Sequence, residues 1–314
     1  MRKAINTEHI EGRIYQHELA LKTVQNQASQ NFGKEFIAGT LDIATDEEGL
    51  NVLSVHFTYV TETTNAGKKN ATFTTLKKII DEGKTWITDG KDAAMKVKVD
   101  TALALNDFYA QDDSLVSVKT NEGGFVSLVN ELCDVSDRNT FSTDIVITNV
   151  TRVEADEEKH IDKDYVVLKG AIFNFRNALL PVDFVVRNDA GMKYFEDLGV
   201  TPAEPVYTKV WGKITSETKR EERTEESAFG ESSVHVYERK VKEWVVTGTA
   251  KVPYDFGDDQ VLTAEELTKA MQDREVYLAD IKKRSDEYRA QKAAGGSTGA
   301  APSTPVANKG GFNF

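Results

Sequence analysis

The sequence predicts a mainly β protein: two tandem OB-like barrels, each with five strands in Greek-key order, then a C-terminal helix and a disordered tail. Three observations lead to this prediction. Residues 165–175 and 179–187 alternate with the period of two that strands show. A helical segment at 189–198 and a strand at 205–215 follow, which gives part of the OB element order. A similar order of elements occurs in the first half of the chain.

The first barrel is predicted to occupy residues 1–138. A polar, Gln- and Asn-rich loop at 23–33 follows its long first strand, and Asp46 to Gly49 suggests a hairpin turn. Phe73, Leu76 and Ile79 recur at helical spacing and predict a helix at 73–82. The predicted strands are 10–22, 35–45, 51–61, 96–105, and 115–119 with 124–128.

The second barrel is predicted to occupy residues 139–256. Its strands are predicted at 142–154, 165–175, 179–187, 205–215 and 241–252. Between the last two, the highly charged segment 216–233 is predicted to be a connection outside the sheet. Trp244 and Ile172 are expected in the core.

Residues 257–293 are predicted to form a single long helix, which lies on the second barrel or pairs with a partner. Thr263 and Glu266 have the spacing of a capping box. A rough apolar stripe runs along it through Leu267, Met271, Val276 or Tyr277, Ile281 and Tyr288. The remainder, 294–314, is rich in Ala, Gly, Ser, Thr and Pro and is predicted to be a flexible tail, either inert or hooking another protein through Phe312 and Phe314.

Composition narrows the function classes. The formal net charge of −12 over 314 residues argues against a broad cationic surface for duplex DNA, but a local basic groove is compatible with it. The single cysteine excludes an intramolecular disulfide framework and favours a reducing cytoplasm. No run of eighteen apolar residues or secretory h-region is present, so we expect a cytoplasmic protein without membrane association.

No catalytic motif is found. Phosphate-cradling glycine loops of the P-loop and dinucleotide-binding types are absent. The five histidines are scattered without zinc-site spacing, and Cys133 has no base near it in sequence. We therefore expect a binding protein rather than an enzyme, with no cofactor and no metal site.

Aromatic and basic residues are interleaved on the strands that an OB barrel uses for nucleic acid, namely strands two and three with the adjoining loops. Exposed rings stack on bases and cations contact phosphates, although any one ring on a strand can equally face the core. The candidates are Phe36, Phe57, Tyr59, Lys68 and Lys69 in the first barrel, and Phe173, Phe175, Arg176, Phe184, Arg187, Trp211, Lys213, Lys219 and Arg220 in the second.

Four segments resemble a group of phage and prophage proteins of Gram-positive bacteria that are encoded near replication and recombination genes; they are 35–46, 55–60, 147–156 and 169–176. The design is also similar to single-stranded DNA-binding proteins, with OB barrels, a flexible tail and a terminal Phe. That family's tail implies docking of replication partners through an acidic tip. Here Phe314 is terminal, but 293–314 contains no Asp or Glu. The resemblance therefore rests on the barrels and not on the tail.

We therefore expect a phage single-stranded DNA-binding protein that coats DNA without sequence preference during replication or recombination. Its tail would contact replication or recombination proteins. The alternative is a phage structural or assembly protein whose β domains are protein-interaction modules. Sequence leaves the oligomeric state open.

Overall fold

The computed structural model describes residues 4–64, 66–156, 161–225, 233–255 and 262–293, without the side chains of 217–240 and Ala293. The strands are β1 (Asn6–His17), β2 (Ala20–Thr23), β3 (Glu35–Ala44), β4 (Val52–Thr61), β5 (Lys96–Tyr109), β6 (Leu115–Leu128), β7 (Asn139–Val153), β8 (Tyr165–Phe173), β9 (Leu179–Val186), β10 (Val206–Glu225) and β11 (Ser233–Thr249). The helices are α1 (Ala71–Glu82), α2 (Trp86–Asp89), α3 (Asp189–Asp197) and α4 (Ala264–Ala293).

Strands β1, β3, β4, β5 and β6 close into a ring, which we call barrel 1. β1 pairs antiparallel with β3, and β3 with β4. β4 then pairs parallel with β6, β6 antiparallel with β5, and β5 antiparallel with β1. Numbered within the ring, the order is 1-2-3-5-4-1, and α1 lies between the third and fourth strands. This is the five-stranded Greek-key arrangement of an OB barrel.

Strands β7 to β11 repeat the same closure and form barrel 2. The antiparallel pairs are β7–β8, β8–β9, β10–β11 and β10–β7, and the parallel pair is β9–β11. Helix α3 takes the position of α1. The predicted fold class is therefore confirmed. An antiparallel pairing of β1 with β7 joins the two barrels into one continuous sheet.

The core lies inside the two rings because apolar residues alternate along the strands. Ile10, Ile37 and Leu41 are fully buried in barrel 1. Ile172 and Trp244 are fully buried in barrel 2, as predicted. Helix α1 begins at Asn70, whose side chain accepts a hydrogen bond from the Thr72 amide, and it ends at a left-handed glycine.

The charged segment 216–233 differs from its prediction. Much of it continues the last two strands of barrel 2, since β10 extends to Glu225 and β11 begins at Ser233. The pairing register runs without interruption from Gly212 to Glu225. The segment is rich in charged residues and shows no apolar alternation, so periodicity did not indicate strands.

Helix α4 begins with the predicted capping box. The Glu266 amide donates to Thr263 Oγ1 at 3.2 Å, and the Thr263 amide donates to Glu266 Oε2 at 3.0 Å. The predicted stripe is partly wrong, because Met271 and Val276 are exposed. The side chains that face the protein include instead Leu267, Ala270, Arg274, Tyr277 and Ile281.

This helix lies on barrel 2, which was one of the two expected arrangements, and it contacts barrel 1 as well. Its first turns cover part of the outer face of β8 and β9, and later turns reach the β5–β6 hairpin of barrel 1. Arg289 Nη1 lies 2.5 Å from the Asp113 carboxylate in that hairpin. Among the described helices, none is long and apolar enough to span a bilayer.

Candidate nucleic-acid interface

An aromatic pair lies on the outer face of β3 and β4 in barrel 1. The rings of Phe36 and Tyr59 have centroids 4.7 Å apart and planes tilted by 39°. Tyr59 is 41% exposed, and Phe36 is half-buried. Two neighbouring rings at a barrel surface offer a platform on which unstacked bases can lie.

A β-bulge turns Tyr59 outward. Phe57 pairs with Gly39 and Val60 pairs with Ile37, so Thr58 and Tyr59 together oppose one residue of β3. The extra residue shifts the alternation of β4 by one position. As a result Phe57 faces the core and Tyr59 faces solvent, although they are two residues apart.

Phe57 is therefore a correction to the predicted site. Its ring is 3% exposed and belongs to the main core cluster, so no base can stack on it. The sequence pattern treated Phe57 and Tyr59 as equivalent because regular strands place residues i and i+2 on one face.

One exposed lysine lies beside the pair, and two more lie in the loop that follows β4. Lys22 on β2 lies opposite Phe36 in the antiparallel register, which places the two side chains on the same face. Lys68 and Lys69 are exposed in the loop that follows β4. That loop is held against the strand end because Thr64 N donates to Lys68 O at 2.8 Å and Asn70 Nδ2 donates to Thr61 O at 2.9 Å.

Lys22 was not among the predicted residues. The sequence suggested one unbroken strand to residue 22, whereas the structure separates the short strand β2, which pairs with β3 beside the rings. In the sequence, the position of Lys22 directly before the polar loop at 23–33 was the feature that could have indicated it.

The outer face of β4 continues from Tyr59 past His56 to a cavity between the barrels of about 190 Å³. His56 Nδ1 is 3.0 Å from Thr40 Oγ1 across the strand pair. Lys119 from β6 and Lys242 from β11 line the cavity. These lysines were missed because the three strands are far apart in sequence and meet only when both rings close.

The two cavity lysines are held in place. Lys119 Nζ lies 2.9 Å from the Asp183 carboxylate and 5.1 Å from the centre of the Trp244 ring. Lys242 donates to Asn121 Oδ1. Burial lowers the pKa of Lys242 to about 8, so the cation is retained at neutral pH.

Two predicted rings of barrel 2 are buried and are corrections. Phe184 faces the interior between Phe141 and Trp244, with centroid distances of 5.3 and 5.4 Å. Phe173 lies on the outer face, as predicted, but the cluster that contains Tyr207, Leu262 and Ala270 covers it completely. These three residues are 34 or more positions away from Phe173, so strand alternation could not predict that they cover it.

Phe175 and Arg176 form the tip of the β8–β9 turn. The Asn174 side-chain oxygen accepts from the amides of Arg176 and Ala178 at 2.9 and 3.0 Å, which fixes the turn. Phe175 is 43% exposed, and the Arg176 guanidinium lies 5.0 Å from its ring centre. The pair offers a ring and a cation at one end of barrel 2.

Trp211 is 42% exposed on β10. Its indole lies directly over Gly248, where a Cβ would be 2.5 Å from the ring. Only glycine permits that flat contact. Trp211 thus presents one face to the protein and the other to solvent.

The remaining predicted cations differ in how far their charges are already paired or buried. Arg187 forms an ion pair with Glu243 at 2.6 Å and lies over the Tyr165 ring. Lys213 is half-buried near the barrel junction, and burial lowers its pKa. Lys219 and Arg220 lie in β10 with side chains outside the described set, and Phe312 and Phe314 lie outside the described residues.

The arrangement was compared with known proteins. The search of curated proteins gave no match. One similar solved structure is a deletion mutant of the single-stranded DNA binding protein from Thermus aquaticus, with 10% identity, a TM-score of 0.47, and coverage of 82% of this chain and 100% of that chain. An identity and a TM-score at this level support no inference about a ligand.

The family comparison is more informative. The family model named YorF matches residues 5–284, a range that contains both barrels and most of α4. Because the match spans far more than half of the chain, this protein belongs to the YorF family.

Proposed function

We propose that this protein binds single-stranded DNA without sequence preference, and that barrel 1 supplies the principal contact. The observation that carries the proposal is the Phe36–Tyr59 pair on the outer face of the second and third strands, 4.7 Å between centroids. OB barrels use this face for oligonucleotides. Bases stacked on such rings contribute about 1–3 kcal/mol each, whatever their identity.

The charge distribution favours a single strand over a duplex. The chain carries a net charge of −12, which opposes nonspecific binding to a duplex surface. Close to the rings, however, Lys22, Lys68 and Lys69 are all exposed. They suit a backbone that follows the rings, with counterion release as part of the driving force.

The proposed path leads from Tyr59 along the outer face of β4 to the inter-barrel cavity. His56 and Lys242 line that cavity. On barrel 2, Trp211 and the Phe175–Arg176 tip are proposed as secondary contacts, since each offers an exposed ring. Barrel 2 is proposed to contribute less to DNA binding than barrel 1, because α4 covers Phe173.

The biological setting is part of the same proposal. The protein would coat single-stranded DNA during phage replication or recombination, with residues 1–138 and 139–256 as its two binding units, 257–293 as the helix and 294–314 as the tail. The tail would contact replication or recombination proteins through Phe312 and Phe314. The resemblance to phage and prophage proteins encoded near such genes supports this setting.

The test is fluorescence anisotropy of labelled oligo-dT titrated with the full chain at low and high salt, beside a duplex of the same length. We expect tight binding of the single strand alone. Tyr59→Ala should weaken it by about 1–3 kcal/mol, a factor of roughly 5 to 150 in Kd. Phe108→Ala is the matched control, because Phe108 is an exposed ring (37%) on β5, outside the proposed path.

Absence of binding at micromolar protein in low salt would refute the proposal and would favour the alternative, a structural or assembly protein. Equal weakening by Tyr59→Ala and Phe108→Ala would contradict the assignment of the platform.

A further inference from the structure

Three side chains with metal-binding atoms meet where the two barrels join. His9 and Glu11 lie two residues apart on β1 and therefore project to the same side of the strand. Cys133 approaches them from the segment that connects the barrels. One ligand atom from each of the three lies within 4.8 Å of the other two.

The imidazole of His9 is oriented by a carboxylate. Its Nδ1 lies 2.7 Å from Asp100 Oδ1 on β5. Because a carboxylate accepts, Nδ1 carries the proton and the lone pair is on Nε2. Metal-binding histidines are typically held in this way, by a carboxylate on the nitrogen that does not bind the metal.

Glu11 divides its two oxygens between two tasks. Oε1 accepts a hydrogen bond from the Cys133 amide at 2.6 Å and holds that residue beside β1. Oε2 lies 3.5 Å from His9 Nε2. A tetrahedral ion with bonds of about 2.0–2.2 Å separates its ligands by roughly 3.3–3.6 Å.

The loop that carries Cys133 is also fixed by contacts that do not use the Glu11 side chain. Arg138 is buried, and its Nε donates to the Cys133 carbonyl at 2.8 Å. The Glu11 amide donates to the Arg138 carbonyl at 2.7 Å. The three ligands therefore come from backbone that is already placed.

We propose that His9 Nε2, Glu11 Oε2 and Cys133 Sγ bind a zinc ion, with a fourth position for water. Nitrogen, sulfur and oxygen donors in a tetrahedral set suit Zn²⁺. A thiolate and a carboxylate balance the charge of the ion. Nearby, Asp100 contacts His9, Arg138 pairs with Glu47, and Asp137 is the acid closest in charge interaction to Lys213. The ion fastens the inter-barrel connection to β1.

The test starts with the unaltered protein. After dialysis against a chelator and addition of one equivalent of Zn²⁺, gel filtration and elemental analysis should find about one zinc per chain, and Tm should rise. With Co²⁺ instead, a sulfur-to-cobalt charge-transfer band and the intense visible bands of a tetrahedral site should appear. A folded protein that shows no such band would overturn the proposal.

Variants assign the ligands. Cys133→Ser should abolish the charge-transfer band and His9→Gln should lower zinc retention below half, whereas Glu131→Gln should leave both unchanged. Glu131 is the matched control because it is an exposed acid in the same connection. Asp100→Asn should weaken zinc about 10- to 100-fold yet keep the band at saturating cobalt. Zinc binding to Cys133→Ser with unaltered affinity would refute the site.

Discussion

At the scale of single residues, Glu47 contacts three cations, two in barrel 1 and one in the inter-barrel connection. Its carboxylate lies 2.8 Å from Lys91 Nζ, 2.7 Å from Arg138 Nη1 and 3.4 Å from Arg13 Nη1. Hydrogen bonds from Lys91, and then from Arg138, lower the pKa of Glu47 to about 2. The Arg138 side chain is 8% exposed, so it depends on this partner.

Glu47→Gln should therefore lower the free energy of unfolding at pH 7 by about 1–2 kcal/mol. The value is below that of a buried pair because the Glu47 side chain is 40% exposed. Since the folded-state pKa is depressed, this stability is present above the unfolded pKa of 4.5 and is lost as pH falls towards about 2.

Urea unfolding between pH 3 and pH 7 measures this prediction. Between pH 7 and pH 3, the free energy of unfolding of the variant should fall less steeply than that of the unaltered chain. Glu48→Gln, an exposed neighbouring acid, is the control and should leave the curve unchanged. The same decrease in the free energy of unfolding with falling pH in the Glu47 variant and the unaltered chain would contradict the ion-pair network.

At the scale of elements, α4 packs against both barrels and connects them. Near its start Leu262 and Ala270 pack over Phe173 of barrel 2. Further along, Arg274 Nη1 lies 2.7 Å from Asp107 Oδ2 of β5, and these side chains are 9% and 1% exposed. The helix thus covers Phe173 on the outer face of barrel 2, whereas Tyr59 on the corresponding face of barrel 1 is exposed.

Arg274→Ala should destabilise the protein by about 3–5 kcal/mol, because it leaves the buried Asp107 carboxylate without its cation. The measurement is the midpoint and slope of urea unfolding at pH 7. Lys283→Ala is the control on the same helix, since its 4.0 Å contact with Glu287 is exposed and should contribute less than about 0.5 kcal/mol. Equal effects of the two substitutions would show that the helix is not held through Arg274.

A second element-level feature is the junction of β2, β3 and β4. At Gly39 the backbone has φ +137°, and a Cβ there would lie 2.2 Å from the Glu18 carbonyl oxygen. Glycine is required for that close approach. It lets β2 fold back against β3, which brings Lys22 beside Phe36.

At the scale of the whole molecule, the protein is acidic, but its positive charges are distributed unevenly over the surface. The net charge is −12, yet Lys22 lies beside Phe36, and Lys68 and Lys69 are exposed in the loop that follows β4. A few phosphate contacts predict a modest salt dependence, with a slope of log Kobs against log [salt] of about −0.7 for each neutralised phosphate of a single strand.

The double variant Lys68→Gln with Lys69→Gln should reduce the magnitude of that slope by about 1.4 and weaken binding most at low salt. Anisotropy titrations of oligo-dT at several salt concentrations measure it. Lys283→Gln should leave the slope unchanged, because that exposed lysine is on α4. An unaltered slope in the double variant would remove these lysines from the DNA contact.

The candidate site was only partly predictable from the sequence. Phe36 and Tyr59 were predicted on neighbouring strands, and Lys68 and Lys69 in the loop that follows, which is where the structure has them; their part in binding stays a prediction. Phe57 was assigned wrongly because a bulge changes the face on which residues lie, and no local pattern announces it. Lys119 and Lys242 were missed because ring closure brings distant strands together.

The sequence by itself determined the fold class, the order of the long strands and of α1, α3 and α4, and the capping box of α4, because these depend on periodicity and on chemistry between near neighbours. It missed the short elements β2 and α2. The tertiary structure decided which rings reach solvent, that α4 covers the outer face of barrel 2, and that His9, Glu11 and Cys133 meet. Glu11 and Cys133 are 122 residues apart. Contacts at that separation arise from packing and strand register, which no local pattern encodes.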